Sequence, residues 1–122
     1  MILTDQTYVD KAEKSIEKLK RDRNGNFFLT TSKIRRLLSL TSSLYDEVQN
    51  RPYEELIDRL AYLRVQYVYQ AGRDRDGDVK DFVQKADLLN ALKEVNDKES
   101  LIRFCRYMEA LVAYFKFYGG RD

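Results

Sequence analysis

Three stretches of this chain group residues that could do chemistry. TTSKIRR, residues 30–36, sets hydroxyls beside Lys33, Arg35 and Arg36. RLAYLRVQYVYQAGR, residues 59–73, carries three arginines, three tyrosines and two glutamines without an acidic residue. DRDGD, residues 74–78, places Asp74, Asp76 and Asp78 at alternate positions.

The first stretch suits an anion. If a helix starts there, free backbone amides at its positive end and nearby cationic side chains favour a phosphate. The same residues also make an ordinary N-cap followed by a solvated face. In the second stretch, rings can stack on bases, guanidinium groups can bind phosphates and amides can meet polar edges. Its tyrosines serve equally well as the border of a neighbouring helix with their hydroxyls wet. The third stretch only loosely resembles a calcium loop. That pattern requires glycine sixth and a bidentate Glu twelfth, whereas here Gly77 is fourth and Lys85 is twelfth. A tight turn with Asp78 capping the next helix is expected, and no metal.

Other chemistry is missing. With no histidine and a single cysteine, the chain lacks the usual zinc ligands and the Ser/His and Cys/His pairs of nucleophilic catalysis. No glycine-rich phosphate loop occurs. Cys105 falls on an apolar stripe, where a thiol is a small core hydrophobe. Neither an enzyme nor a cofactor is expected.

Apolar residues recur every three or four positions and never alternate for long, so the elements that must position these groups are amphipathic helices. The expected fold is all-α, a compact single-domain bundle of about five helices over residues 1–122. The first runs from Asp5 to Arg21 with Val9, Ala12, Ile16 and Leu19 inward, and DRNGN breaks it. The second starts after Thr30 or Thr31 and buries Ile34, Leu37, Leu38, Thr41, Leu44, Tyr45 and Val48. Pro52 suits the first turn of the third, which ends near Gly72. The fourth carries Phe82, Val83, Ala86, Leu89 and Leu92. Asn96 with Glu99 suggests a capping box for the fifth, whose core set is Leu101, Phe104, Cys105, Met108, Leu111, Val112 and Phe115.

Charge distribution matters more than net charge. Lysine and arginine number 22 against 20 acids, giving +2. Residues 27–45 and 59–73 nevertheless each combine three cations with no acid, so a nearly neutral bundle can present a basic face. On the third helix Leu56, Leu60, Leu63, Tyr67 and Ala71 form the inward stripe. Arg59, Tyr62, Gln66, Tyr69 and Arg73 follow one another beside it, with Arg64 on the other flank. On the fifth, Arg103, Tyr107, Ala110, Tyr114 and Phe117 lie opposite the core set and should form an exposed surface, for another subunit in preference to a second stretch of RNA.

The longest apolar-rich run, YMEALVAYFKFYGG, is interrupted by Glu109 and Lys116 and is too short to span a bilayer. No membrane contact is expected, and a lone cysteine without a signal-like N-terminus fits the cytoplasm.

Three strings, LTTSKIRRLLSLTSSLYDE, RLAYLRVQYVYQAGR and LIRFCRYMEALVAYFKFYGGRD, resemble the small subunit of the type III-A CRISPR effector, the Csm complex. The similarity runs from ILTD to FKFYGG. It implies a noncatalytic helical bundle that stacks in copies along the guide RNA–target RNA duplex within a ribonucleoprotein. Its implied partners are both RNAs, the large signalling subunit, the backbone subunits and further copies of itself. Carried over by position, Ser32, Lys33, Arg35, Arg59, Arg64 and Arg73 would meet RNA phosphate and ribose. Tyr69, Arg103, Tyr107 and Tyr114 would face other subunits. The alternative is an architectural adaptor whose basic and aromatic faces bind only protein.

Overall fold

The computed structural model describes residues 2–121. Its α-helices are α1 (Tyr8–Glu17), α2 (Thr31–Val48), α3 (Ile57–Arg73), α4 (Asp78–Lys85), α5 (Leu88–Lys93) and α6 (Lys98–Phe117). A 3-10 turn, Tyr53–Leu56, leads into α3, so Pro52 precedes that turn rather than opening an α-helix. Among the described residues the only β pairing is an isolated bridge between Arg21 and Phe27. The fold is all-α, as its apolar spacing requires.

Helix α6 is the centre of the bundle because apolar residues cover more than one of its sides. Leu101, Phe104, Cys105, Met108, Leu111, Val112 and Phe115 are all buried. Helices α1 and α2 pack against α6, α3 packs on α2, and α4 and α5 bridge α3 back towards α1. Each short helix is held by this packing, since few would persist alone in water.

The seating of α3 on α2 controls the basic face. Leu60, Leu63 and Tyr67 are buried as the stripe on α3 requires. Tyr67 is fully enclosed, and its hydroxyl pairs with that of Thr41, which donates to the Leu37 carbonyl at 2.8 Å. A buried hydroxyl without a partner costs free energy, so this pair favours one registry of α3 on α2.

Local chemistry moves several boundaries. Helix α1 is shorter than expected: the Lys20 N–H donates to Asp81 Oδ2 at 3.0 Å and leads the chain away, and Val9 is exposed. The expected fourth helix splits into α4 and α5 at Asp87, which adopts φ +56° and accepts from the Asn90 amide at 2.9 Å. Aspartate tolerates this left-handed conformation better than most residues. The break shifts the register, so Leu88 is buried where Leu89 was expected. At α6 the cap is Asp97 rather than Asn96. Its carboxylate accepts from the Ser100 N–H at 2.8 Å, while Ser100 Oγ accepts from the Asp97 N–H at 3.1 Å.

Candidate nucleic-acid interface

Helices α2 and α3 form an antiparallel pair. Arg59 at the start of α3 bonds Glu47 and Ser43 near the end of α2. Lys33 at the start of α2 bonds Asp74, just past the end of α3. Thr30 caps α2, its hydroxyl accepting from the Lys33 N–H at 3.4 Å. This arrangement carries Lys33 and Arg36, one helical turn apart on α2, to the end of α3 that bears Gln70 and Arg73.

These four residues, with Arg75, Asp74 and Val79, line a cleft of about 150 Å³. Arg36, Arg73 and Arg75 are exposed and form no ion pair among the described residues. The cleft therefore concentrates uncommitted guanidinium charge, and its arginine forks match a phosphate.

Lys33, expected to meet phosphate, is ion-paired within the chain. Its ammonium lies 2.9 Å from Asp74, 3.2 Å from Asp78 and 3.4 Å from Asp76. The three alternating carboxylates thus converge on a cation belonging to the chain itself. Asp78 does not cap α4. Gly77, at φ +78°, takes the cap position, and Asp74 Oδ2 accepts from the Val79 N–H at 2.9 Å. Asp74 is the hub of this strap, binding both α2 and the first turn of α4. Among the described residues, no group of three His, Cys, Asp or Glu side chains is placed to hold a metal ion.

The electrostatics follow from these contacts. The bond from Lys33 to Asp74 chiefly keeps the lysine charged, outweighing its partial burial, and Asp78 adds to the effect, so its pKa lies well above 10.5. Burial disfavours ionisation of Asp74, but Lys33 and the Val79 N–H together outweigh it and hold the carboxyl below 3.8. Asp74 therefore contributes fully above 3.8 and loses its contribution as pH falls through the depressed folded value. Lys33 contributes fully below 10.5 and loses its contribution only as pH rises through its raised folded value. The strap should be insensitive to pH between about 5 and 9, and urea midpoints should show it. Between pH 5 and 3 the wild type should lose more stability than Asp74→Asn, which no longer has this carboxylate to protonate.

Lys33→Met keeps the apolar stem but strands the carboxylates. Unfolding stability should fall by about 1–3 kcal/mol, the cost of leaving partly buried acceptors unpaired. Adding Asp74→Asn to Lys33→Met should cost less than the sum of the single changes in urea unfolding, because the two side chains meet directly.

The remaining expected RNA contacts divide by setting. Arg73 lines the cleft. Ser32, Arg35 and Arg64 are exposed but do not line it. Arg59 pairs with Glu47, which also lies 3.4 Å from Arg51. The acid missing from residues 59–73 is thus supplied to Arg59 by the neighbouring helix. Arg36, a turn beyond Lys33, is the better-placed neighbour of the Arg35–Arg36 pair, a choice its i,i+3 spacing could have suggested. Arg75 sits in a loop, where no periodicity marks it.

Beside the cleft runs a second groove of about 400 Å³, lined by Leu40, Tyr62, Val65, Gln66, Tyr69 and Gln70. Tyr62 is 58% exposed and Tyr69 62% exposed, so the aromatic stripe on α3 faces outward as expected.

The expected aromatic surface on α6 is interrupted. Tyr107 is fully buried, not exposed: its hydroxyl donates to the Ala86 carbonyl at 2.8 Å and lies 3.2 Å from Ser15 Oγ. The side of α6 opposite the first core set is covered by α1 and by the α4–α5 junction, and burial pushes the phenol up to about 12. Arg103 is largely covered and its Nε donates to Asp5 at 2.8 Å. Tyr114 is half-buried, stacked on Tyr118 with ring centroids 6.3 Å apart, while Phe117 is exposed. Cys105 is buried, and burial pushes its thiol up to about 12, so at neutral pH it is an inert thiol rather than a nucleophile. Among the described residues no helix is long and apolar enough to cross a membrane.

The chain is similar to known proteins over nearly all its length. A family model described as Csm2 Type III-A matches residues 4–121. A Streptococcus thermophilus protein named CRISPR system Cms protein Csm2 is 64% identical over 121 residues, covering 99% of this chain and 98% of that protein. A protein of the same name from Mycobacterium tuberculosis (strain CDC 1551 / Oshkosh) is 45% identical over 127 residues, covering 100% and 99%. One from Enterococcus italicus is 39% identical over 97 residues, covering 74% and 68%. The all-α bundle and this near full-length similarity together place the chain in the Csm2 family of type III-A CRISPR systems.

Proposed function

We propose that this chain is a noncatalytic subunit of a type III-A CRISPR RNA-guided effector complex. It acts in the cytoplasm in antiviral defence, repeats in copies along the guide RNA–target RNA duplex, and holds target RNA by its backbone. The convergence of Arg36, Arg73 and Arg75 on one cleft between α2 and α3 carries this reading. Phosphates enter the cleft, the exposed Arg35 and Arg64 add positive charge elsewhere on α2 and α3, and the exposed Ser32 hydroxyl offers a polar contact near the start of α2. Lys33 works indirectly, strapping that end of α2 to the α3–α4 loop. Backbone contact is blind to sequence, as a guide-directed complex needs, because base pairing does the reading. Repeated copies on one strand multiply a modest affinity for each site. The large signalling subunit, the backbone subunits and neighbouring copies take other faces, with Arg103 and Tyr114 on one of them.

A second reading, an architectural adaptor that meets only protein, draws on the exposed Ile57, Val65 and Val68 of α3. Assembled complexes carrying Arg35→Glu and Arg64→Glu separate the two. Weaker target capture with unchanged subunit stoichiometry supports RNA contact. Loss of subunits from complexes whose remaining particles capture RNA normally supports the adaptor.

A further inference from the structure

We propose that the tyrosine groove on α3 receives one unpaired base of the RNA whose phosphate sits in the adjoining arginine cleft. This rests on the RNA-binding reading above and extends it from backbone contact to a nucleotide subsite. Gln70 lines both the cleft and the groove, so the two adjoin. Tyr69 and Arg73 are four residues apart on one helix, a separation of about 6 Å along the axis. An arginine fork and a ring face are thus offered side by side, as the phosphate and base of a single nucleotide require.

The charge of the adjoining cleft favours a base over a protein side chain, since the groove itself sets Leu40 and Val65 beside its polar groups. No charged residue lines it, and its polar groups are the amides of Gln66 and Gln70 and two tyrosine hydroxyls. Amides donate and accept, so they can meet the polar edge of any base. An aromatic face holds a base without regard to identity. The cleft next door supplies charge complementary to the phosphate that must accompany the base. A base in a duplex has its faces covered by its neighbours, so the occupant must be unstacked. Tyr69, which the sequence assigned to a subunit interface, becomes the principal stacking residue, with Tyr62 further along the groove.

The test uses assembled complexes and targets in which each nucleotide in turn is made abasic. Because Tyr69 is 62% exposed, its replacements should fold. Tyr69→Leu should weaken binding of the intact target by about tenfold, and Tyr69→Phe should stay within about twofold. At one or more abasic positions the gap between wild type and Tyr69→Leu should narrow, because one copy's stacked partner is absent. The proposal is overturned if no abasic position narrows the gap. It is equally overturned if Tyr69→Leu sheds subunits while remaining particles bind normally, which would make the occupant a protein. Arg36→Ala with Arg73→Ala keeps the outcomes distinguishable: a loss there beside a silent Tyr69→Leu removes the base subsite and leaves backbone binding in place. If the arginine pair is silent as well, both proposals fall.

Discussion

Complexes built with Arg36→Ala, Arg73→Ala and Arg75→Ala together should bind target RNA about a hundredfold or more weakly at 0.15 M salt, with unchanged subunit composition. These arginines are exposed and make no ion pair among the described residues, so the isolated chain should melt within a degree or two of wild type. The loss follows from counterion release. Each phosphate neutralised by protein contributes about −0.7 to −0.9 to the slope of log affinity against log salt. Removing three guanidinium groups from every copy should flatten that slope along with the affinity. Binding titrations at several salt concentrations read both quantities.

The same arithmetic separates these arginines from Lys33. Its charge is already matched by Asp74, Asp76 and Asp78, so it has little to offer a phosphate. Lys33→Met should act first on stability, and any loss of RNA affinity should accompany loosening of the α2–α4 junction.

Tyr107→Ala should cost about 3–5 kcal/mol in urea unfolding, the range for removing a large buried ring. That is a large share of the roughly 5–15 kcal/mol that holds a typical domain folded. Tyr107→Phe should cost about 1–2 kcal/mol, because it keeps the ring but leaves the Ala86 carbonyl without its hydroxyl donor. Ser15 is spared in that variant, since its hydroxyl still donates to the Lys11 carbonyl at 2.7 Å. Tyr69→Ala, on an exposed face, should shift stability by less than about 0.5 kcal/mol. A Tyr107→Ala chain with wild-type stability that failed to join the complex would return Tyr107 to an interface.

These two tyrosines show what the sequence can and cannot reveal. Tyr69 and Tyr107 both lie on stripes beside a regular apolar set, and local spacing assigns both outward. For Tyr69 no other described element covers the side chain, which is exposed. For Tyr107 the cover comes from α1 and Ala86, far away in sequence, and a 3.6-residue period carries no information about distant partners. The inward faces of α2, α3 and α6 were legible because each stripe is long and strictly periodic. The break at Asp87 was not, because it uses neither glycine nor proline, only an aspartate in a left-handed conformation.

The basic site was half legible. Arg73, and the start of α2 as a positive corner, followed from charge spacing and capping. Which cations remain free did not, because ion pairing links segments 41 to 45 residues apart for Lys33 and 12 apart for Arg59. The acid-free run at residues 59–73 therefore hid the Glu47 partner of Arg59, and the acidic loop beside it concealed the partner of a lysine. Arg75 went unnoticed between two aspartates, although it lines the same cleft as Arg36 and Arg73.

Gln70 sits at the junction of cleft and groove on α2 and α3, the surface proposed to face RNA in the assembled particle. A photoreactive amino acid introduced in place of Gln70, activated in target-bound complexes, tests this most directly. Adducts to target RNA at regularly spaced positions are the predicted result. Adducts confined to protein subunits, from particles that have captured their target normally, would contradict it.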